Sequence, residues 1–562
     1  MVKVVKFGGS SLASAEQFTK VGDIIRSDES RKYVVPSAPG KRNSKDTKVT
    51  DMLYACYDLA ENDQDFKVML RKIKDRYDSI INGLHLKLAL DEEFKIIAEN
   101  FKAKAGADYA ASRGEYLNGI IMANYLGYEF IDSATVIFFD ENGNFDAEKT
   151  DKVLSKKLEQ TEKAVIPGFY GAGPDGKVVT FSRGGSDITG SIVSKACHAS
   201  MYENWTDVSG CLVADPRIID NPQPIKVVTY RELRELSYMG ASVLHEDAVF
   251  PVRKAGIPIN IRNTNDPEAP GTLIVESTCQ KPDYTITGIA GKKGFVAVNI
   301  DKDKMNSEVG FCRKALQAFE ENGISIEHMP SGIDTMTVFV HQAEFEGKEQ
   351  QVISSIRRLA HPDIIDLESD LALIAVVGRG MKSNRGTAGR IFSALAHANI
   401  NVRMIDQGSS ELNIIIGVSN DDFDKAIKAI YDIFVVTQHP MFIHTHIRRL
   451  LEKHIHMQRV QGMPWSNKRE WQQVCSDPEN IDNASIKKGC TTTIYRPNKK
   501  VFDYYESTVV DTHKFKVPRK LITSLAMVGG ALAFVFWIGA PVFNKYINPT
   551  GDKEVVQQIA DN

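Results

Sequence analysis

The sequence has no paired-cysteine motif. Its cysteines, at positions 56, 197, 211, 279, 312, 475 and 490, are scattered without a C-x-x-C pair. That pattern excludes a zinc ribbon or a disulfide framework and fits reduced thiols. Neither charge sign dominates: 69 Lys plus Arg stand against 72 Asp plus Glu, a net charge of −3. Bulk affinity for nucleic acid is therefore not expected. The first residues read as a strand and lack the charged-then-apolar order of a secretory signal, so none is expected. Long apolar runs are missing except in one place. Leu521 to Phe543 carries no charge and follows the basic residues Lys514, Lys516, Arg519 and Lys520. It is long enough to span a bilayer, which predicts a transmembrane helix tethering a cytoplasmic catalytic part to the inner membrane. At 562 residues the chain is expected to fold as several domains.

What is present is a set of short motifs suited to phosphoryl transfer: Lys6-Phe7-Gly8-Gly9-Ser10-Ser11, Ser112-Arg113-Gly114-Glu115, Ser182-Arg183-Gly184-Gly185-Ser186-Asp187, and Thr206-Asp207 through Asp215-Pro216-Arg217. The first ends an alternating run from Val2 that predicts a buried strand. Its glycines let backbone N–H groups approach a phosphate, because no Cβ stands in the way. Ser14 and Gln17 predict a capping box, and Phe18, Val21, Ile24 and Ile25 the apolar face of the following helix. A phosphate at that corner meets free N–H donors, the positive end of a helix dipole and the charge of Lys6.

From residue 1 to about 280, strand-like runs (Val2–Phe7, Tyr33–Pro36, Val165–Tyr170, Pro258–Arg262) alternate with helical periods, the signature of an α/β sheet covered on both faces. The stretch 270–286, with Pro270-Gly271-Thr272 and Pro282, reads as a linker. Two segments of one design follow. The first has strands at Phe295–Ile300, Ile324–His328 and Thr335–His341 around a helix at Gly310–Asn322. The second has strands at Leu371–Val377, Ile400–Ile405 and Leu412–Val418, a helix at Gly386–Asn399 and another from Asp421. Together they predict a tandem β-α-β-β-α-β repeat. Composition changes near Thr437, giving expected boundaries of 1–280, 281–361, 362–436, 437–520, 521–543 and 544–562.

With these residues in view, the first 435 or so positions resemble the aspartokinase family. The family's K-F-G-G-T-S appears with serine at Ser10. Pro36-Ser37-Ala38 stands for V-S-A, and Lys48-Val49-Thr50-Asp51 matches K-V-T-D. Arg183 to Asp187 keeps R-G-G-S-D after Ser182, where glycine is usual. Thr206-Asp207-Val208-Ser209-Gly210 differs from T-D-V-D-G only at Ser209, and Ala214 to Arg217 keeps A-D-P-R. The resemblance implies an amino acid kinase three-layer sandwich, two ferredoxin-like ACT domains and an unrelated tail. It implies transfer of the ATP γ-phosphoryl group, with Mg²⁺, to the β-carboxylate of L-aspartate. Lys6, Asp187, Gly8 and Gly9 would then be catalytic. Ser37, Thr50, Glu115, Arg183 and Ser186 would hold aspartate. Lys6, Gly9, Ser10, Thr206, Asp207, Asp215 and Arg217 would hold ATP. Met305, Ser307, Glu308, Gly310, Phe311, Ile326 and Glu327 would line a feedback site for lysine or threonine; as residues alone they read equally as a turn and a core strand. Glu327-His328-Met329-Pro330-Ser331-Gly332 most resembles a lysine-sensitive group, and Asp406 to Ile414 the family's pairing segment, which implies a homodimer.

Two patterns are rejected. Gly171-Ala172-Gly173-Pro174-Asp175-Gly176 satisfies G-x-G-x-x-G, but its Pro-Asp-Gly predicts a turn between strands, not the start of a helix. His439, His444, His446, His454 and His456 lack companions at metal-ligand spacing, so no metal site is expected. The tail, through Trp471 to Asp482 and Ile494 to Tyr505, resembles the later part of a zonular-occludens-toxin-type phage assembly protein. The alternative this raises is a membrane-anchored assembly component with an inert kinase part.

Overall fold

The computed structural model describes residues 1–182, 184–241, 244, 246–278 and 284–436. The tail from 437, with its expected spanning helix, five histidines and phage-protein likeness, lies outside the described residues, as does Arg183. Among the described residues no helix is long and apolar enough to cross a membrane. The described residues divide into two compact units, one of residues 1–278 with 287–292 and 373–378, the other of residues 284–286, 293–372 and 379–436.

The first unit runs β1 (Lys3–Phe7), α1 (Ala15–Arg26), β2 (Arg31–Pro36), α2 (Val49–Glu61), α3 (Lys67–Gly83), α4 (Asp91–Lys102), α5 (Ala107–Leu126), β3 (Glu129–Phe130), α6 (Ala147–Glu159), β4 (Ala164–Val165), β5 (Tyr170–Ala172), β6 (Val178–Thr180), α7 (Gly185–Ala196), β7 (Met201–Thr206), β8 (Val227–Thr229), α8 (Tyr230–Tyr238), α9 (Glu246–Lys254), β9 (Ile259–Asn263) and β10 (Thr272–Val275). Eight strands form one sheet in the order β3-β4-β2-β1-β7-β9-β10-β8. Every described pairing in it is parallel except β9 with β10. Val4, Val5 and Phe7 of β1 are fully buried, as a strand covered on both faces requires. Alternation sends Val5 and Phe7 into the core shared with α1 to α5 and Lys6 to the opposite face, toward α7.

Several expectations change here. The Ser14 hydroxyl accepts from the Gln17 amide at 3.4 Å, but Gln17 turns to Asn265, so only half of the capping box forms. The expected strand Val165–Tyr170 is broken at Pro167-Gly168 into β4 and β5. The expected linker contains a strand, Thr272–Val275, which pairs on both sides as β10 with Thr272 and Ile274 fully buried. The rejected glycine motif is the β5–β6 hairpin, with Gly176 at φ +79° in its turn.

The chain's remaining described strands and α-helices are β11 (Gly288–Asp301), α10 (Phe311–Glu321), β12 (Thr335–His341), α11 (Gln342–Phe345), α12 (Glu349–Ala360), β13 (Ile364–Val377), α13 (Thr387–His397), β14 (Met404–Asp406), β15 (Asn413–Ser419) and α14 (Phe423–Tyr431), all in the second unit but for the start of β11 and the end of β13. One sheet runs β12-β11-β13-β15-β14. The expected strand Ile324–His328 is reduced to a single bridge, His328 with Phe339. Ile400–Ile405 shortens to β14. No closing strand follows α14 among the described residues, so the second segment is not a full β-α-β-β-α-β run.

A buried ion pair ties the first sheet. Glu203, 2% exposed on β7, meets Arg31 Nε at 2.8 Å and Lys3 Nζ at 3.2 Å, and accepts from Trp205 Nε1 at 2.9 Å. Glu203→Ala leaves the Arg31 guanidinium buried without its partner, at an expected loss of about 3–5 kcal/mol. Urea unfolding followed by circular dichroism checks this, and a loss under about 1 kcal/mol would show that water reaches the pair.

Candidate active site

Strand register makes the first arrangement. Lys6 on β1 lies opposite Asn204 on β7, so the two side chains leave the same face. α7 brings Asp187 to them in its first turn. Lys6 Nζ sits 2.7 Å from Asp187 Oδ1 and donates to Asn204 Oδ1 at 3.4 Å, while Asn204 Nδ2 donates to Asp187 Oδ1 at 2.8 Å. Tyr202 Oη donates to the Asp187 carbonyl at 3.2 Å and fixes the start of the helix. The ammonium, in a residue only 8% exposed, is thus fixed before any ligand arrives.

The chain leaving β1 turns sharply through Gly8 and Gly9 into a single 3₁₀ turn, Ser10–Leu12. The Gly8 amide donates to the Trp205 carbonyl at 3.0 Å. Gly8 is therefore not a free phosphate donor, a correction to the expectation above. Its role is spatial: a Cβ there would stand 3.7 Å from Lys6 Nζ and fill the space beside the ammonium. The amides of Gly9 and Ser10 keep no protein acceptor among the described residues. A Cβ on Gly9 would come within 2.8 Å of the Ala38 carbonyl, and one on Gly40 within 2.6 Å of the Gly9 backbone. Both glycines are thus required by close approach, and Gly40 N donates to the Gly9 carbonyl at 2.8 Å.

Ser37 follows β2, its amide donating to the Phe7 carbonyl at 3.0 Å. This joins the loop after β2 to the end of β1. Thr50, at the start of α2, lies beside Gly114 of α5. Glu115, one residue on, is 5% exposed, and its Oε2 has no hydrogen-bond partner. Burial pushes its carboxyl up from 4.5 to about 8; the backbone N–H groups of Ala38 and of Glu115 itself pull weakly the other way. A buried acceptor without a donor is ready for a cation that the ligand brings. Ser186 packs against Gly168, where any Cβ would collide with it.

Thr206 and Asp207 close the C-terminal end of β7, with a hydroxyl-to-carboxylate bond of 3.2 Å. Asp215 and Arg217 pair with each other, and the hydrogen bond from Arg217 holds the Asp215 carboxyl below its ordinary range. No described contact joins that pair to Lys6 or to the glycine corner. In the second unit Met305 and Phe311 are buried in the core and Ile326 packs against it. Glu308 pairs with Lys314 at 2.8 Å, Glu327 with His341 at 3.2 Å, and Gly310 holds φ +84° before α10. Burial pushes the thiols of Cys56, Cys197 and Cys211 up to about 12, which favours the unreactive protonated form.

The sequence reading missed Asn204, Asn118, Arg76 and Phe169. Asn204 could have been found, because an asparagine inside a strand just ahead of Thr206-Asp207 is out of place for packing alone. Arg76, 6% exposed, donates to the carbonyls of Ala13 at 2.9 Å and Gly40 at 2.7 Å and so locks the loop onto the turn. Phe169 holds φ +82° beside Gly185, a strained backbone that sequence does not announce.

Comparison with known proteins places these features in context. The amino acid kinase family pattern matches residues 1–263, and an ACT domain pattern matches residues 374–434. Aspartokinase 3 of Bacillus subtilis is 40% identical over 448 residues, covering 77% of this chain and 98% of the relative. The crystal structure of Clostridium acetobutylicum aspartate kinase is 52% identical, covers 77% of this chain and 99% of that one, and gives a TM-score of 0.71. E. coli aspartokinase III, solved with aspartate and ADP and again with lysine and aspartate, covers the same shares at 23% identity. Its TM-scores of 0.59 and 0.58 show likeness of fold.

The protonated Glu115 has a consequence for stability. The ligand-free fold binds a proton that the unfolded chain loses above about pH 4.5, so the group's contribution is full below that pH. It is lost as pH rises toward about 8. Glu115→Gln removes the loss. Its ligand-free melting curve should match wild type near pH 5 and exceed it above pH 8, by on the order of 4 kcal/mol. A difference that stays constant with pH would mean that the carboxyl is hydrated.

Proposed function

The chain belongs to the aspartokinase family, and on that premise we propose how its own residues carry out the reaction. The activity is phosphoryl transfer from ATP to the β-carboxylate of L-aspartate, giving 4-phospho-L-aspartate, under feedback regulation through ACT domains. The alternative of an inert kinase part has no support in these relatives. The observation that carries the site assignment is the Lys6–Asp187–Asn204 triangle at the C-terminal ends of two parallel strands, beside a glycine corner with free amides. Open α/β sheets bind ligands at such strand ends, where connections leave in opposite directions.

The β-carboxylate is already ionised near neutral pH, so the step needs no general base. One carboxylate oxygen forms a bond to the γ-phosphorus as the bond to the β,γ-bridging oxygen breaks, its electron pair leaving on ADP. The protein's task is positioning and charge stabilisation. Lys6 meets the charge on the transferring group, with Asp187 and Asn204 holding it in place. The Gly9 and Ser10 amides donate to phosphate oxygens. Glu115 takes the substrate α-ammonium, whose charge replaces the solvation that burial removed and favours the ionised carboxylate. Arg183 takes the α-carboxylate as a bidentate fork, with Ser37, Thr50 and Ser186 completing the pocket.

Thr206, Asp207, Asp215 and Arg217 serve the nucleotide side. No group of three or more metal-ligating side chains converges among the described residues. Asp207 and Asp215 stand on the nucleotide side, where Mg²⁺ would be held largely by the phosphates and would supply neutralisation of their charge. The turn Met305–Ser307 with Glu308, Gly310 and Glu327 serves lysine. E. coli aspartokinase III in complexes with aspartate and ADP, and with lysine and aspartate, supports both ligand assignments by analogy of fold. Pairing of two chains through Asp406 to Ile414 and tethering through 521–543 rest on sequence alone.

Purified full-length chain should release ADP only when L-aspartate is present, and added lysine should suppress the release. Lys6→Met and Asp187→Asn should each lower kcat by roughly 10²–10³ with small changes in the KM for ATP. ATP turnover independent of aspartate would overturn the substrate assignment, and wild-type kcat in both variants would overturn the triangle's role.

A further inference from the structure

Asn118 lies in α5 three residues after Glu115, on the same helix face. It is fully buried, and its Nδ2 donates to the Ser37 carbonyl at 2.6 Å. The N–H of that same peptide unit belongs to Ala38 and faces the Glu115 carboxylate. One helix face therefore grips a single peptide unit from both ends. The Ser37 carbonyl can only accept, so the amide nitrogen of Asn118 must be the atom turned toward it. Its oxygen is left over, and Oδ1 has no hydrogen-bond partner in a fully buried side chain.

Two orphaned acceptors, Glu115 Oε2 and Asn118 Oδ1, thus lie on the helix face that meets the Ser37–Ala38 peptide, where Ala38 and Thr50 pack beside Gly114. Buried acceptors without donors are rare because nothing repays their lost hydration. Two beside one peptide call for a ligand group with more than one N–H, which a primary ammonium has and a hydroxyl lacks. Glu115 supplies the countercharge. Asn118 adds a neutral acceptor at an angle that fixes the direction of the group.

We propose that Asn118 is a specificity-determining residue that accepts a hydrogen bond from the substrate α-ammonium while holding the Ser37 peptide in place. The inference rests on the reading of this pocket as the aspartate site. It separates an α-amino dicarboxylate from a plain dicarboxylate of the same length, since only the former satisfies both oxygens.

The test compares wild type with Asn118→Leu, nearly the same shape without polar atoms, and Asn118→Ser, a smaller change kept in case the first variant melts. The measurements are the KM for L-aspartate, the KM for ATP, and competitive inhibition of turnover by succinate, which lacks the amino group. Removing a hydrogen bond to a charged donor should raise the aspartate KM roughly 10-fold or more. The ATP KM and the succinate inhibition constant should move less than about threefold. An unchanged aspartate KM overturns the proposal. So does a succinate constant that rises as far as the aspartate KM, because Asn118 would then act only through the peptide it holds. Wild-type turnover that ignores aspartate fails the pocket assignment itself and is told apart by needing no variant.

Discussion

Everything at the site depends on keeping one ammonium out of water and in one place. A lysine on a central, doubly covered strand is the costliest charge to place in such a sheet, and an isolated one would lose its proton or its position. The fold answers with register. Because β1 and β7 are parallel and in step, Lys6 and Asn204 are neighbours by construction, and α7 needs only to start nearby for Asp187 to complete the triangle. The carboxylate supplies countercharge, and the amide fixes its orientation. The Gly8–Gly9 turn leaves the open side of the lysine clear for phosphate.

The first unit shows two solutions to buried charge, one on β7 and one on α5. Glu203 is satisfied from within by Arg31, Lys3 and Trp205, and such pairs hold strands together without being available to anything else. Glu115 is equally buried but is left unpaired at Oε2. Burial without a countercharge pushes its carboxyl up to about 8. The contrast separates a structural carboxylate from a binding one: the first has its donors in the chain, the second waits for them from the ligand.

Much of the first unit was legible because its motifs sit where strand becomes turn. Lys6, Gly9 and Asp187 each occupy a position that glycine or helix-start chemistry marks in the sequence, whereas Glu115, inside α5, is reached only through the family resemblance. What escaped was set by distance along the chain. Asn204 matters only because β7 pairs with β1, and Arg76 only because α3 passes beneath the Gly40 loop. Neither adjacency is written near the residue itself. Thr272–Val275 was misread for a related reason: proline and glycine ahead of it signal a loop, yet burial between β9 and β8 makes it a strand. The reduction of Ile324–His328 to one bridge has no local sign, since its alternation is as good as that of its neighbours.

Asn118 shows why a missed residue can carry more information than a recognised one. Motif residues announce chemistry that any site of this kind needs, whereas a buried amide with one satisfied end and one empty end is a statement about this pocket's occupant. Its donor end is fixed by a carbonyl and cannot be exchanged, so its buried acceptor is left with no donor from the chain among the described residues. Helix periodicity then ties that acceptor to Glu115, which has the same deficiency. Two acceptors and one countercharge are what a primary ammonium requires, and a water molecule, with two donors and no charge, would satisfy the oxygens without relieving the carboxylate.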